Sequence, residues 1–294
     1  MPATEADITR AFRGAPERFI DVGHSRLAYW RFGRGPDVVF VHGWPLSSAT
    51  FRRVIARLAD GFTCHCFDLP GAGKTETGPD APVDLIGHAS TLRSAIDALG
   101  LGDYAFVAHD SGGFVARFVA AEDPRVRGLV MANTEIPGHT PWLVAVYALL
   151  ARIPGGGRLL LRMLRSRAVR TSALGFGGCF EDVRYGEGEF KELFVDPLLV
   201  AGPVADGALK LLRNTRPSDM AKLGPVHGKI KAPVKLVWGP DDPFFPIGRA
   251  RKMLASFAGP ASLDEVPGAK LFPHEDRPAD FVASARPFLS GCLA

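Results

Sequence analysis

"VAHDSGGFVA", Val107–Ala116, is the stretch on which the reading of the fold turns. An apolar run, "YAFVAH" from Tyr104 to His109, leads into Asp110, and two glycines then open an apolar helical pattern. Strand, sharp turn, helix is the context of a nucleophile elbow, in which the attacking residue sits on a strained backbone and the helix packs close to the strand. Both demands call for small residues two before and two after the centre. With Asp110 as centre these are Ala108 and Gly112; with Ser111 they are His109 and Gly113, and histidine is bulky. The spacing favours Asp110 over Ser111 as nucleophile. The competing reading of Asp110 is a plain helix N-cap.

Working outward, strand and helix patterns alternate. "RFIDV" and "SRLAYWRFG" read as strands, and "DVVFVHG" as a strand buried on both faces. The helix pattern "SSATFRRVIARLAD", the strand "FTCHCFDL" and a helix from about Asp84 to Leu99 follow, with Asp84 placed to cap the last. After the elbow helix comes the strand "VRGLVMANT". From Ile136 to Arg216 no parallel strand is evident; then "VKLVWG", "IGRARKMLASFA", "SLDEVPG" and a final helix from about Pro278 to Ser290 resume the alternation. This predicts an α/β fold with a mostly parallel sheet and helices on both faces, a core of residues 1–135 and 217–294, and a mostly helical cap of residues 136–216 over the strand ends.

A net charge of +4 over 294 residues argues against a nucleic-acid partner. The densest basic stretch, "RLLLRMLRSRAVR" from Arg158 to Arg170, reads as an exposed amphipathic helix rather than a membrane surface. No apolar run marks a signal peptide or membrane span. Cys64, Cys66, Cys179 and Cys292 read as reduced thiols, so the expectation is cytoplasmic and without a membrane partner. "GAGKT", Gly71–Thr75, imitates a phosphate loop, but Asp68 stands where the motif needs its first glycine. No metal or organic cofactor is indicated.

Four motifs in order, "HGWP" at 42–45, "DLPGAG" at 68–73, "AHDSGG" at 108–113 and "WGPDDPFFP" at 238–246, resemble those of the α/β-hydrolase fold. The elbow resembles that of its aspartate-nucleophile branch, which includes epoxide hydrolases and haloalkane dehalogenases. The resemblance implies that Asp110 attacks an electrophilic carbon and forms an alkyl-enzyme ester, which a histidine then hydrolyses through water. It implies an oxyanion hole from the backbone N–H groups of Trp44 and Ser111, and Asp242 as the acid that orients the histidine. Asp241 is the near alternative, and Glu135 stands where some relatives keep the acid.

One position departs from the pattern. Relatives carry the histidine directly before a phenylalanine; here "GAKLFPHEDRP", Gly268–Pro278, has Leu271 there and its nearest histidine at His274. Either His274 turns into the site from about one helical turn away, or the site lacks its water-activating base, or His42 or His109 serves. Tyr147 and Tyr185 are the cap tyrosines available to protonate an opening epoxide, and Trp142 with several phenylalanines points to a hydrophobic substrate. Ser111 replaces the tryptophan that haloalkane dehalogenases place after the nucleophile. The expectation is an Asp110-dependent hydrolase acting on a hydrophobic epoxide or halogenated molecule, with contacts from Tyr147, Tyr185, Trp142 and His109. The alternatives are a Ser111 esterase or lactonase and a non-catalytic ligand-binding fold. The sequence also admits a homodimer.

Overall fold

A computed structural model describes residues 3–294; the expected start of the core at residue 1 lies outside the described residues. One sheet organises the chain. Its strands are β1 (Arg18–Asp21), β2 (Ser25–Gly33), β3 (Asp37–Val41), β4 (Thr63–Phe67), β5 (Glu76–Thr77), β6 (Tyr104–His109), β7 (Val126–Ala132), β8 (Val234–Trp238) and β9 (Ala261–Glu265). They run in the order β1-β2-β4-β3-β6-β7-β8-β9, with β5 paired to β2. From β4 to β9 each neighbouring pair is parallel, and only the β1, β2 and β5 pairings are antiparallel. Strands covered on both faces must be apolar throughout: every residue of β6 is buried, as are the last four of β3 and of β4.

The order places the functional end of the sheet. The chain leaves β3 toward β4 and later returns to the other side of β3 with β6. The loops leaving β3 and β6 therefore diverge, and the crevice between them, at the carboxyl ends of the strands, is where open α/β sheets bind ligands. "HGWP" and the elbow are those two loops.

Helix boundaries follow local chemistry. In helix Leu85–Leu99 the Asp84 side chain accepts from the Gly87 N–H, and the helix ends on Gly100 at φ 65°. Helix Glu5–Arg13 starts on a Thr4/Asp7 capping box, a signal that the sequence reading passed over. Between β7 and β8 the chain is helical and irregular, with helices Trp142–Arg152, Gly156–Met163, Pro203–Asn214 and Pro217–His227 among its elements. The expected single amphipathic helix over 158–170 is two pieces. Helix Gly156–Met163 ends in a turn, and a short helix, Arg167–Arg170, follows. Arg170 is buried, its guanidinium paired with Glu187 at 2.8 Å, because it also caps the Leu164 and Arg165 carbonyls.

"GAGKT" folds as a tight loop around a carboxylate. Asp68 accepts from the Ser48 N–H and hydroxyl and from the Lys74 N–H. A Cβ at Gly73 would lie 1.9 Å from Asp68 Oδ2. The Lys74 ammonium is spent on the carbonyls of Phe12, Arg13 and Gly14.

Candidate active site

Asp110 is the one non-glycine with positive φ among the described residues, at φ 49° and ψ −134°. Such a backbone is costly for an L-residue and persists only where its surroundings over-determine it. The determinants are visible. The Asp110 N–H donates to the Asn133 carbonyl at 3.0 Å. The Asp110 carbonyl accepts from the Gly113 N–H at 2.7 Å, and the Thr134 hydroxyl lies 2.8 Å away. Gly112 lets the helix close on β3, since a Cβ there would meet the Val41 carbonyl oxygen at 2.1 Å. Gly43 lets the β3 loop close on Asp110 itself, with a virtual Cβ 2.5 Å from Asp110 Cβ. The strained position is that of Asp110; Ser111 is the first residue of the helix Ser111–Ala120.

Of the two expected oxyanion donors, Trp44 makes the direct contact with the carboxyl. The Trp44 N–H donates to Asp110 Oδ2 at 2.9 Å and lies equally close, 2.9 Å, to Ser111 Oγ, and the Ser111 N–H, at the first residue of the helix, lies near enough to the Asp110 carboxyl to favour its charged form. One carboxylate oxygen is thus held by a backbone donor beside a helix N-terminus. Burial pushes Asp110 well above the usual carboxylate range; neighbouring Glu135 adds to the push, while the Ser111 and Trp44 N–H groups oppose it. Burial also raises Glu135, against the pull of Arg117. Two buried carboxyls this close cannot both ionise freely.

Asp242 lies at the end of the β8 loop, 5% exposed. Asn133 Nδ2 donates to its Oδ2 at 2.7 Å and the Phe244 N–H to its Oδ1 at 2.7 Å. Burial nevertheless pushes it up to about 7, the condition of an acid with no cation beside it. The sequence reading missed Asn133, which also binds both the N–H and the carbonyl of Gly239. Its position directly after β7, beside the strand that carries the acid loop, was the available signal. Arg117 is fully buried beneath the elbow. It donates to the Gly113 and Glu135 carbonyls and to Thr134 Oγ1, with its guanidinium 3.9 Å from Glu135 Oε2.

Above Asp110 lies a cavity of about 300 Å³, almost wholly apolar. Leu271 and Phe272 line it together with Asp110, so the place expected for histidine presents a leucine side chain. His274 does not line it. That side chain is fully buried, with Nε2 2.9 Å from Thr50 Oγ1 and its ring against Phe51, because the short helix Pro273–Asp276 turns it toward the core. Its neighbour Glu275 is equally buried and pairs with Arg52 at 2.7 Å. His109 is fully buried too; its Nε2 meets the Leu271 carbonyl at 3.0 Å and does not reach the cavity. Burial holds both imidazoles neutral, His109 near 3 and His274 well below its ordinary value. His42 accepts from the Leu69 N–H and faces the Gly43 carbonyl. No histidine lines either the cavity over Asp110 or the adjoining crevice where Ser111 and Glu135 meet it.

The aromatic residues expected to reach the substrate divide. Trp142 and Tyr147 line the cavity, and Tyr147 is the one hydroxyl among its lining residues; that hydroxyl donates to the Leu174 carbonyl at 2.6 Å. Tyr185 lies elsewhere, its hydroxyl donating to Glu275 Oε2 at 3.1 Å and Arg53 stacked on its ring. The Trp44 indole N–H is committed to the Ala208 carbonyl at 2.9 Å. Among the described residues no cluster of His, Cys, Asp and Glu could hold a metal, and no helix is long and apolar enough to cross a membrane.

A strained elbow, backbone donors at its carboxyl and a cavity at the sheet's switch point define a class, and comparison with known proteins assigns it. Residues 38–285 match the model of the alpha/beta hydrolase family, and the chain belongs to that family. It is similar to haloalkane dehalogenase 2 of Mycobacterium tuberculosis, 30% identical over 291 residues, 91% of this chain and 92% of that one. It is also similar to the pimeloyl-[acyl-carrier protein] methyl ester esterase of Chromobacterium violaceum, 29% identical over 85% of this chain and 92% of that one. Among solved structures the epoxide hydrolase CorEH shares the fold, with TM-score 0.80 at 22% identity over 93% of this chain and 98% of that one. With such relatives the chain is a hydrolase.

Proposed function

We propose that Asp110 is the nucleophile and that the substrate is a hydrophobic epoxide, bound in the apolar cavity and captured as an alkyl-enzyme ester. The carrying observation is the backbone: the elbow's strained φ of 49° falls on Asp110. With Oδ2 held by the Trp44 N–H, Oδ1 attacks an epoxide carbon, the C–O bond breaks, and the alkoxide takes a proton from Tyr147, the one hydroxyl on the cavity wall, which turns from the Leu174 carbonyl to donate it. A halogenated substrate is the second choice, since the Trp44 indole N–H, a natural cradle for leaving halide, is already bonded to Ala208. Release is the slow half. Leu271 stands where a base would activate water, so the ester persists and turns over slowly.

The test is intact-protein and peptide mass spectrometry after incubation with styrene oxide and with 1-bromohexane. One equivalent of substrate mass on Asp110, formed faster than steady-state turnover, supports the reading; a fluorophosphonate adduct on Ser111 with turnover of p-nitrophenyl esters overturns it. The serine reading has one finding in its favour, the methyl ester esterase relative. Against it, the Ser111 hydroxyl lies beside the Trp44 N–H, within the hole that would have to stabilise its own intermediate.

A further inference from the structure

The molecule's exposed apolar surface is concentrated in one place. Apart from Ile86, every large apolar side chain exposed among the described residues lies between β7 and β8. Four of them, Trp142, Val146, Leu149 and Ile153, recur at spacings of four, three and four along helix Trp142–Arg152 and its C-cap. That spacing draws a single stripe on one helix face. Leu159 and Met163 extend it from the next helix. Trp142 is 71% exposed, an unusual position for the residue that otherwise gains most from burial.

Within this segment of sequence the charge has one sign, although Asp206 of helix Pro203–Asn214 lies 3.6 Å from Arg158. From Ile136 to Phe180 the sequence holds six arginines and neither Asp nor Glu. Arg170 is internal, but Arg152, Arg158, Arg162, Arg165 and Arg167 are exposed. Arg162, Arg165 and Arg167 have no carboxylate within ion-pair distance among the described residues. The stripe is also continuous with the site: Trp142, Val146, Met163 and Leu174 are at once exposed and part of the cavity wall, so they form its mouth.

We infer that this face docks on an anionic lipid bilayer, with the apolar stripe at the acyl boundary and the arginines among the headgroups, so that the cavity draws lipophilic substrate directly from the membrane. Charge decides between the occupants. A two-fold dimer through this face would set the patch against itself and bring its arginines together. Anionic headgroups neutralise them, while tryptophan and leucine enter the interface. The inference rests on the surface and the cavity mouth, and holds whichever residue is the nucleophile. It departs from the sequence-based reading of 158–170 as an exposed amphipathic helix rather than a membrane surface, and the vesicle test decides between them.

The full chain is mixed, without substrate, with vesicles of phosphatidylcholine alone or with one third phosphatidylglycerol, and binding is read by co-sedimentation and by tryptophan emission. Trp30 and Trp238 are buried and Trp44 is partly so, so a blue shift on binding reports Trp142. Expected is binding to the anionic vesicles that falls in 1 M salt. Each arginine removed should weaken it by about fivefold, so the triple variant Arg162→Glu/Arg165→Glu/Arg167→Glu should weaken it a hundredfold or more. Leu149→Ser/Ile153→Ser should abolish the blue shift. These side chains are exposed, and an unchanged circular dichroism spectrum checks that each variant folds. No binding to anionic vesicles at low salt overturns the inference. So does binding indifferent to both variants, or a dimer by light scattering that Leu149→Ser/Ile153→Ser dissolves.

Discussion

The elbow and the loop that faces it, Gly268–Asp276, have been treated differently. At the elbow every local feature serves one geometry. Gly112 and Gly43 remove the Cβ atoms that would part β3 from Asp110, Asn133 and Thr134 hold the Asp110 main chain, and two N–H groups lie at its carboxyl. In the facing loop the polar side chains have turned away. Leu271 offers the cavity a leucine, while His274 and Glu275 face inward to Thr50 and Arg52. The loop's hydrogen-bonding capacity has gone into packing. Asp242, left without a cation, is pushed up to about 7 by burial. On the proposed reading, capturing an electrophile and releasing it are separable tasks, and the difference between elbow and loop favours the first over the second.

The comparison breaks most visibly at Asp110. Asp110→Ala should abolish adduct formation, a loss of at least roughly 10³-fold in single-turnover rate, whereas Ser111→Ala should still form the ester. If the two variants reverse roles in the mass spectrum, the elbow has been misread. Restoring the missing base is the complementary move. Leu271→His places an imidazole on the cavity wall beside Asp110, and steady-state turnover should rise by about 10²–10⁴-fold, the usual worth of a positioned general base. The single-turnover rate of capture should not change, while the initial burst shrinks as release approaches it. Turnover no faster than in the parent would mean that another group already activates water.

The third test addresses the inward-turned loop. Glu275→Ala removes the buried partner of Arg52, itself at 0% exposure, and leaves its guanidinium to the partly exposed Glu189 alone, and urea unfolding should show a loss of about 1–3 kcal/mol. Below the unfolding transition the variant should alkylate at near the parental rate, because neither residue lines the cavity. A stability change under about 1 kcal/mol would show that the pair is solvated in the native state.

The elbow was legible in the sequence because its constraints are local and steric: small residues at fixed offsets from one position, in a strand–turn–helix frame. The sheet was legible for a related reason, since strands buried on both faces must be continuously apolar. What escaped was the set of long-range choices. Nothing near His274 announces that Thr50, more than two hundred residues away, receives its Nε2, and nothing near Tyr185 announces Glu275. A histidine three residues from the expected place is close in sequence, but the short helix Pro273–Asp276 sends it to the other side of the loop. Asn133 and Arg117 were missed because both act on backbone atoms of other segments.

The smallest effect is the one most specific to the elbow. Asparagine fits the Asp110 position closely: it tolerates positive φ better than most residues, and its carbonyl can still accept from the Trp44 N–H. Asp110→Asn therefore removes the ionisable proton and little else. The parent carboxyl is raised in the folded state, first by burial and then by Glu135. Below the ordinary carboxyl range both folded and unfolded chains hold the proton, and it does not affect stability. As pH rises, the unfolded chain ionises while the folded one does not, so the folded parent loses stability until its own raised pKa is passed. The variant escapes that loss. It should be indistinguishable from the parent near pH 4 and more stable at pH 8 by about 1–2 kcal/mol, the usual gain when a strained functional group is relieved, read from urea midpoints across the range. A parent more stable than the variant at pH 8, with the difference closing toward acid, would mean that Asp110 is ionised and stabilising in the fold, its N–H donors outweighing its burial.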